Sequence, residues 1–137
     1  MEIKKQPKLT FSGVDIITFD FKSSRNFGFE VDPTIGVEAK LVNNRHASTK
    51  NRVWMKIVVQ AEGYFNLTIV GLGNFELLES LSEDEKKTLL HTNAPPIMFP
   101  YIRALISTFT ANCGDAVPLL IVPTQFFSGQ LEDVEVE

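Results

Sequence analysis

Residues 53–77 read VWMKIVVQAEGYFNLTIVGLGNFEL. The first part, residues 53–60, is rich in β-branched and aromatic side chains, which is typical of a β-strand. Glu62-Gly63 predicts a tight turn, and residues 64–77 predict a second strand. Two glycines inside this second strand, at positions 71 and 73, predict a bulge or a bend. Two strands with so short a connection pair antiparallel, because parallel neighbours need a long crossover.

Two further strands are predicted upstream. Residues 14–21 alternate loosely, with Ile17, Phe19 and Phe21 on one predicted face. Residues 35–42 alternate more regularly, and polar residues 43–51 predict a hairpin loop after them. Four consecutive strands therefore predict an antiparallel meander or Greek key over residues 8–77.

The hydrophobic period changes after the sheet. Ser82 and Glu85 have the spacing of a capping box, which predicts a short helix to about residue 90. Pro95-Pro96 predicts an interruption, and Pro100 is predicted near the start of a second, longer helix. That helix carries an apolar stripe at i, i+3, i+4 and i+7, formed by Ile102, Leu105, Ile106 and Phe109. The helical segment is predicted over residues 82–114.

Length and composition predict one domain over residues 1–137, with 44% hydrophobic and 22% charged residues. The net charge of -4 disfavours a nucleic-acid partner, which would require a basic face. The sequence shows neither a signal peptide nor a segment for membrane insertion, so a cytoplasmic protein is expected. The acidic residues 128–137 predict a disordered tail.

Candidate chemical groups are few. His46, His91 and Cys113 lack the spacing of a metal site, so surface histidines and a structural cysteine are expected. The glycines at 71 and 73 do not complete a dinucleotide-binding motif. The sequence therefore predicts no catalytic residue, no metal and no cofactor.

Phenylalanine is abundant, with 11 residues against one tryptophan and two tyrosines. Phe27 and Phe29 precede Pro33 in a loop-like stretch, and Phe126 and Phe127 follow the extended, proline-bracketed residues 118–123. Two interpretations stay open for these loop aromatics: core residues that fold inward, or the lining of an apolar binding groove.

Residues 93–103, NAPPIMFPYIR, resemble the most characteristic stretch of the SecB family of protein-export chaperones, in which Phe-Pro-Tyr-x-Arg leads into the long helix. Residues 117–126, VPLLIVPTQF, are similar to the continuation of that family pattern. Upstream, residues 37–41 (VEAKL) and 73–75 (GNF) resemble two of the family's strands.

The resemblance implies an α+β fold, in which a four-stranded antiparallel sheet is backed by a long helix. It implies a homotetramer built as a dimer of dimers, with first strands paired and long helices packed between dimers. The stripe of Ile102, Leu105, Ile106 and Phe109 then faces either its own sheet or another subunit. The client groove would be lined by Phe27, Phe29, Ile35, Met98, Phe126 and Phe127.

The function implied by the resemblance is a cytoplasmic chaperone (a holdase) that binds unfolded preproteins in an apolar groove, without enzymatic activity or nucleotide. The family's docking surface for the SecA motor would include Asp15 and Asp20. The matching part of the fourth strand, Asn66-Leu67-Thr68, lacks the family's acidic residue. A dedicated SecB-like chaperone of one partner, such as an antitoxin, is therefore the alternative. A small-molecule binding domain with a glycine-bent strand behind an apolar helix is a second alternative.

Overall fold

The computed structural model of the protein describes residues 7–26, 32–44, 49–120, 122 and 132–136, with only the backbone at residues 43–44 and 132–136. Four strands come first, a helical run follows, and a short fifth strand comes last. The elements are β1 (Leu9–Ser23), β2 (Thr34–Asn44), β3 (Lys50–Ala61), β4 (Phe65–Leu77), α1 (Glu83–Thr88), a π-helical turn (Leu89–Asn93), α2 (Ala94–Ala111) and β5 (Glu132–Val136).

The strands form one sheet in the order β1-β4-β3-β2-β5. The first four pair antiparallel, so the predicted four-stranded sheet and the α+β class are confirmed. β2, β3 and β4 form a meander and β1 lies beside β4, which is an arrangement of Greek-key type. The β3–β4 turn is tight: the Tyr64 amide donates to the Ala61 carbonyl at 2.9 Å, and Gly63 has a φ of 83°, which glycine adopts without steric strain.

The two faces of the sheet differ in burial. Odd-numbered side chains of β3 and β4, such as Met55, Ile57 and Ile69, are fully buried and define the inner face. Even-numbered side chains, such as Trp54 and Val70, define the outer face and are half-buried. This alternation follows from the two-residue period of a strand, and it places the hydrophobic core between the inner face and α2.

The predicted capping box is present at the start of α1. The Ser82 hydroxyl accepts a hydrogen bond from the Glu85 amide at 3.2 Å and lies 3.3 Å from the Glu85 carboxylate. The predicted interruption at Pro95-Pro96 is wrong, because a π-helical turn joins α1 directly to α2 and both prolines occupy its first turn. A proline is tolerated there, since first-turn N–H groups have no partner within the helix. Pro100 lies inside α2, with an exposed ring.

The two glycines of β4 allow α2 to approach the sheet closely. A Cβ atom built at Gly73 would lie 2.7 Å from Met98 Sδ, and one at Gly71 would lie 3.2 Å from Ile102 Cδ1. β4 pairs with β3 without a register shift, and the irregularity predicted at these glycines occurs on the other side of β4, where the pairing with β1 shifts beside Gly71. Their role is to leave room for the helix, because any side chain at either position would push α2 away.

The irregularities of the sheet lie in β1. Its pairing with β4 shifts between Phe11 and Gly13 and again between Ile16 and Thr18. An extra residue reverses the alternation of side chains after it. The sequence pattern predicted that Ile17 and Phe19 share a face. Ile17 instead lies in the second irregularity, does not share the face of Phe19 and is 55% exposed.

The C-terminal segment departs from its expected disorder. Glu132–Val136 forms β5, which pairs parallel with β2 over residues 40–44. A disordered tail was expected because this segment is acidic and poor in large apolar groups, which leaves it little to bury in a core. The edge of β2 supplies backbone hydrogen-bonding groups instead, and these do not depend on side-chain hydrophobicity.

The packing of α2 on β4 predicts a steric effect. Gly73→Ala is expected to lower the free energy of unfolding by about 1–3 kcal/mol, because the new methyl group must displace the fully buried Met98. Gly36→Ala is the matched control, since a Cβ there meets nothing within 4 Å and Gly36 is exposed. Urea unfolding at fixed protein concentration measures both variants. Equal effects of the two substitutions would contradict this account of Gly73.

The capping box predicts a pH effect. Hydrogen bonding from Lys8 at 3.3 Å, with further contributions at Ser82, holds the pKa of Glu85 below its ordinary value of 4.5. Because the folded-state pKa is the lower one, ionised Glu85 stabilises the fold above about pH 4.5, and this is lost as the pH falls through the folded-state pKa. Glu85→Gln and Lys8→Met should both lower the free energy of unfolding slightly at pH 7, and their difference from wild type should shrink as the pH is lowered below 4.5. A difference that does not shrink as the pH is lowered would exclude this ionisation as its cause.

Candidate functional site

The groups suited to catalysis or metal binding do not converge in the described residues. His91 is buried in the π-helical turn, contrary to the expected surface position, whereas His46 lies outside the described residues. Cys113 is half-buried, its thiol lies 3.3 Å from the Phe109 carbonyl, and burial raises the pKa of the thiol. A raised pKa disfavours the nucleophilic thiolate. In the described part of the chain, no three His, Cys, Asp or Glu side chains are grouped as metal ligands.

Two surface depressions lie near the start of β1. One, of about 450 Å³, is bordered by Thr10, Glu76 and Glu79, and another, of about 330 Å³, by Asp84 and Leu89. The three carboxylate residues among these are exposed to solvent. Catalytic carboxyl groups are typically desolvated, so neither depression supports the small-molecule alternative.

The residues predicted to bind clients are only partly described. Phe27, Phe29, Phe126 and Phe127 lie outside the described residues. Ile35 lies on β2 and is half-buried. Met98 is fully buried against β4, so in this chain it is a core residue and its side chain is not accessible to a client. Ile35 is thus the one described member of the predicted set with accessible surface.

An apolar surface continues from the core towards the β2 edge. α2 packs across β1 and β4. The inner-face residues of β2, namely Ile35, Val37 and Ala39, contact the core cluster but are only half-buried. We call these three residues the β2 strip. Their neighbours on β3, such as Ile57 and Val59, are fully buried, so the strip marks where the covered core gives way to accessible apolar surface.

The apolar stripe predicted on α2 faces its own sheet over most of its length. Ile102 and Ile106 are fully buried, whereas Leu105 is half-buried. Phe109 packs edge-on against Phe19 and Phe21, with ring centroids 4.8 and 4.9 Å apart. Of the two alternatives left open by the sequence, the structure therefore places Ile102, Ile106 and Phe109 against the sheet of the same chain.

A second apolar row on α2, of which Ile97 and Tyr101 were not among the predicted site residues, is accessible to solvent. Ile97 and Tyr101 are exposed, Tyr101 by 60%, and half-buried Leu105 continues the row at i, i+4 and i+8. This spacing is visible in the sequence, but the i, i+3, i+4, i+7 stripe overlaps it at Leu105. We call Ile97, Tyr101 and Leu105 the outer row of α2.

β1 forms the other edge of the sheet and is apolar along its middle. Ile16, Ile17 and Phe19 are each more than 40% exposed. β1 extends over 15 residues and is the terminal strand in the sheet order of the described residues. A long edge strand with exposed apolar side chains is a strong candidate for pairing with another chain.

Asp15 and Asp20, the predicted SecA-docking residues, are both exposed on β1. Asp15 is the register partner of Leu72, and Asp20 is the register partner of Thr68, so both lie beside outer-face positions of β4. The Asn74 side-chain amide donates to Asp15 at 3.0 Å. Thr68 itself accepts a hydrogen bond from the Asn66 side chain at 3.3 Å, so the start of β4 presents neutral polar groups beside Asp20.

These features define a class of protein: an α+β domain with an open antiparallel sheet, one long helix on its inner face and accessible apolar strips beside both sheet edges. Such surfaces are typical of proteins that bind other polypeptides. No helix among the described residues is long and apolar enough to cross a bilayer.

Comparison with known proteins identifies the family. Residues 14–129 match the family of SecB, the preprotein translocase subunit, and the chain belongs to this family of chaperones. The chain is 29% identical over 113 residues to the protein-export protein SecB of Orientia tsutsugamushi, covering 82% of this chain and 69% of that protein. It is 25% identical over 131 residues to SecB of Acinetobacter baumannii, covering 91% and 85%.

A solved structure has the same fold. The Rv1957 SecB-like chaperone of Mycobacterium tuberculosis, in complex with a ChAD peptide from the Rv1956 HigA1 antitoxin, superposes with a TM-score of 0.69. The match covers 87% of this chain and 88% of that one at 12% sequence identity, so it supports the fold alone.

Proposed function

We propose that the protein is a cytoplasmic holdase that binds unfolded polypeptides before their export. The observation that carries this proposal is the β2 strip, an accessible apolar surface that runs along a sheet edge. The relatives of this protein in Orientia and Acinetobacter are named protein-export proteins, which supports the same assignment. The holding function involves no chemical step, so neither a catalytic residue nor a nucleotide is required.

The binding mechanism follows from what an unfolded chain exposes. Apolar side chains gain about 25 cal/mol for each Å² that they bury, and the β2 strip offers them an apolar surface. Unpaired backbone groups of the client gain hydrogen bonds by adding to a sheet edge. Each contact is weak, but one client that spans several subunits is held by their combined affinity.

The client-binding residues remain a proposal. Ile35 anchors the groove on the β2 strip, and Phe27, Phe29, Phe126 and Phe127 supply its aromatic part. Phenylalanine suits such a site, because a large apolar ring can pack against many different partners. Met98 takes no part in direct contact, since it is enclosed by the core.

The assembly that we propose is a homotetramer, a dimer of dimers. The exposed apolar side chains of β1 support pairing of two first strands across a dimer. The outer row of α2 supports packing of helices between dimers, and it replaces Ile102 and Ile106 in that role because those two residues are buried in their own chain.

A second candidate is a dedicated chaperone of one partner, for example an antitoxin. The observation that favours it is the neutral Asn66–Thr68 pair on the outer face of β4, which lacks the acidic residue expected for docking of SecA. The Mycobacterium tuberculosis protein with the same fold is bound to an antitoxin peptide. Asp15 and Asp20 remain as the proposed docking residues if SecA is a partner.

Client binding is tested by light scattering. Two unrelated, chemically denatured proteins are diluted into buffer with and without the chaperone, and wild type is expected to suppress the aggregation of both at a stoichiometric ratio. Phe27→Ser/Phe126→Ser should lose most of this suppression, because it removes apolar surface from the proposed groove. Leu119→Ser is the matched control, since Leu119 is 58% exposed but lies outside the proposed set.

Three results would revise the proposal. Suppression that is equal in wild type and the double variant would remove Phe27 and Phe126 from the groove. Suppression of one client and not the other would favour the dedicated chaperone. A complete lack of suppression by a folded wild type would reject the general holdase.

Assembly is tested by light scattering coupled to size-exclusion chromatography. Wild type is expected to have the mass of a tetramer. Tyr101→Glu should give the mass of a dimer, because a charge in the outer row must be desolvated when helices pack. Thr88→Glu adds the same charge at an exposed position of α1 and should leave the tetramer intact. A tetramer that survives Tyr101→Glu would exclude the outer row as the interface between dimers.

A further inference from the structure

The β2 edge, where the proposed function places a client, is occupied in part by the chain's own C-terminal segment. β5 pairs parallel with residues 40–44 of β2, in a register that sets Glu132 opposite Lys40 and Val136 opposite Asn44. Residues 34–39, which carry the β2 strip, lie outside this pairing. An extended client segment that runs along the whole of β2 therefore meets β5 at the same backbone groups.

The chemistry of the two strands is complementary. The last six residues, EDVEVE, contain four carboxylates and two β-branched valines. The residues that border the β2 edge are mainly cationic. Lys40 stands in register with Trp54 of β3, its Nζ lies 5.3 Å from the centre of that ring, and it is ion-paired with Glu38 of the same strand at 3.4 Å. Arg52 and Lys56 occupy the neighbouring even-numbered positions of β3. An acidic strand is thus favoured at this end of the edge by charge, and valine favours the extended conformation.

We propose that the acidic C-terminal strand is an intramolecular competitor, which occupies the β2 edge in the unloaded chaperone and is displaced by a client strand. This inference rests on the proposed holdase function and adds a regulatory step to it. A tethered competitor lowers the apparent affinity of the chaperone for its client. The apparent dissociation constant equals the intrinsic one divided by the fraction of molecules in which the β2 edge is uncovered. Weak or short apolar segments are then rejected, and clients that supply a longer strand are retained.

The competitor is tested with a proline. Val134→Pro removes one backbone N–H from the middle of β5 and fixes φ near about −65°, away from the roughly −120° of a parallel strand. Val134→Ile is the matched control, since it keeps the N–H and the β-branched side chain. The probe is a fluorescently labelled, reduced and carboxymethylated α-lactalbumin, which stays unfolded, and its dissociation constant is measured by fluorescence anisotropy.

The expected result is an affinity about three- to tenfold higher for Val134→Pro than for wild type, with Val134→Ile unchanged. Amide hydrogen exchange of the client-free protein supplies an independent readout. Residues 40–44 of β2 should exchange faster in Val134→Pro than in wild type, because their partner strand has been released.

The failures of the inference and of the proposed function are distinguishable. Faster exchange at residues 40–44 without a change in affinity would overturn the competition while leaving the holdase intact. Unchanged exchange would overturn the docking of β5 itself. If neither wild type nor Val134→Pro binds the probe, the holdase proposal fails and the competition fails with it.

Discussion

The close approach of α2 to β4 determines the shape of the rest of the molecule. Met98 and Ile102 occupy the space that side chains at Gly73 and Gly71 would fill, so the helix lies directly on the strand. The van der Waals attraction between the helix and the strand weakens by about a quarter to a half when a gap of about 0.5–1 Å opens between them. The close contact therefore fixes the helix over one part of the sheet. α2 thereby covers the side of β4 and β1 and leaves the inner face of β2 only half-covered.

The uneven cover gives the two sheet edges different characters. The β1 edge carries exposed Ile16, Ile17 and Phe19, which suits a permanent contact with an equally apolar partner. The β2 edge combines a half-buried apolar strip with cationic residues and accepts an acidic strand. A surface of mixed character suits reversible contacts, since its polar part remains satisfied by water when the partner leaves. One sheet can therefore serve assembly at one side and client exchange at the other.

Sequence patterns predicted the elements of this fold better than their packing. The alternation of β2 and β3 and the Ser82–Glu85 capping box depend on neighbours in the chain, and each was recognised. The burial of Met98 and the space left at Gly73 depend on a helix that packs from elsewhere in the chain. The exposure of Ile17 depends on one extra residue in the pairing with β4. The docking of β5 depends on the edge of β2, a strand that lies far earlier in the chain. Long-range contacts of this kind have little effect on the local spacing of hydrophobic residues, so that spacing does not predict them.

The position of β1 has a consequence for biosynthesis. β1 is synthesised before β2 and β3, yet its partner in the sheet is β4, which follows them in the chain. At translation rates of about 5–20 residues per second, the apolar middle of β1 waits for seconds before its partner is complete. During that interval the nascent chain exposes an unpaired strand with apolar side chains. An unpaired apolar strand is prone to aggregation, so the order of synthesis leaves β1 vulnerable until β4 is complete.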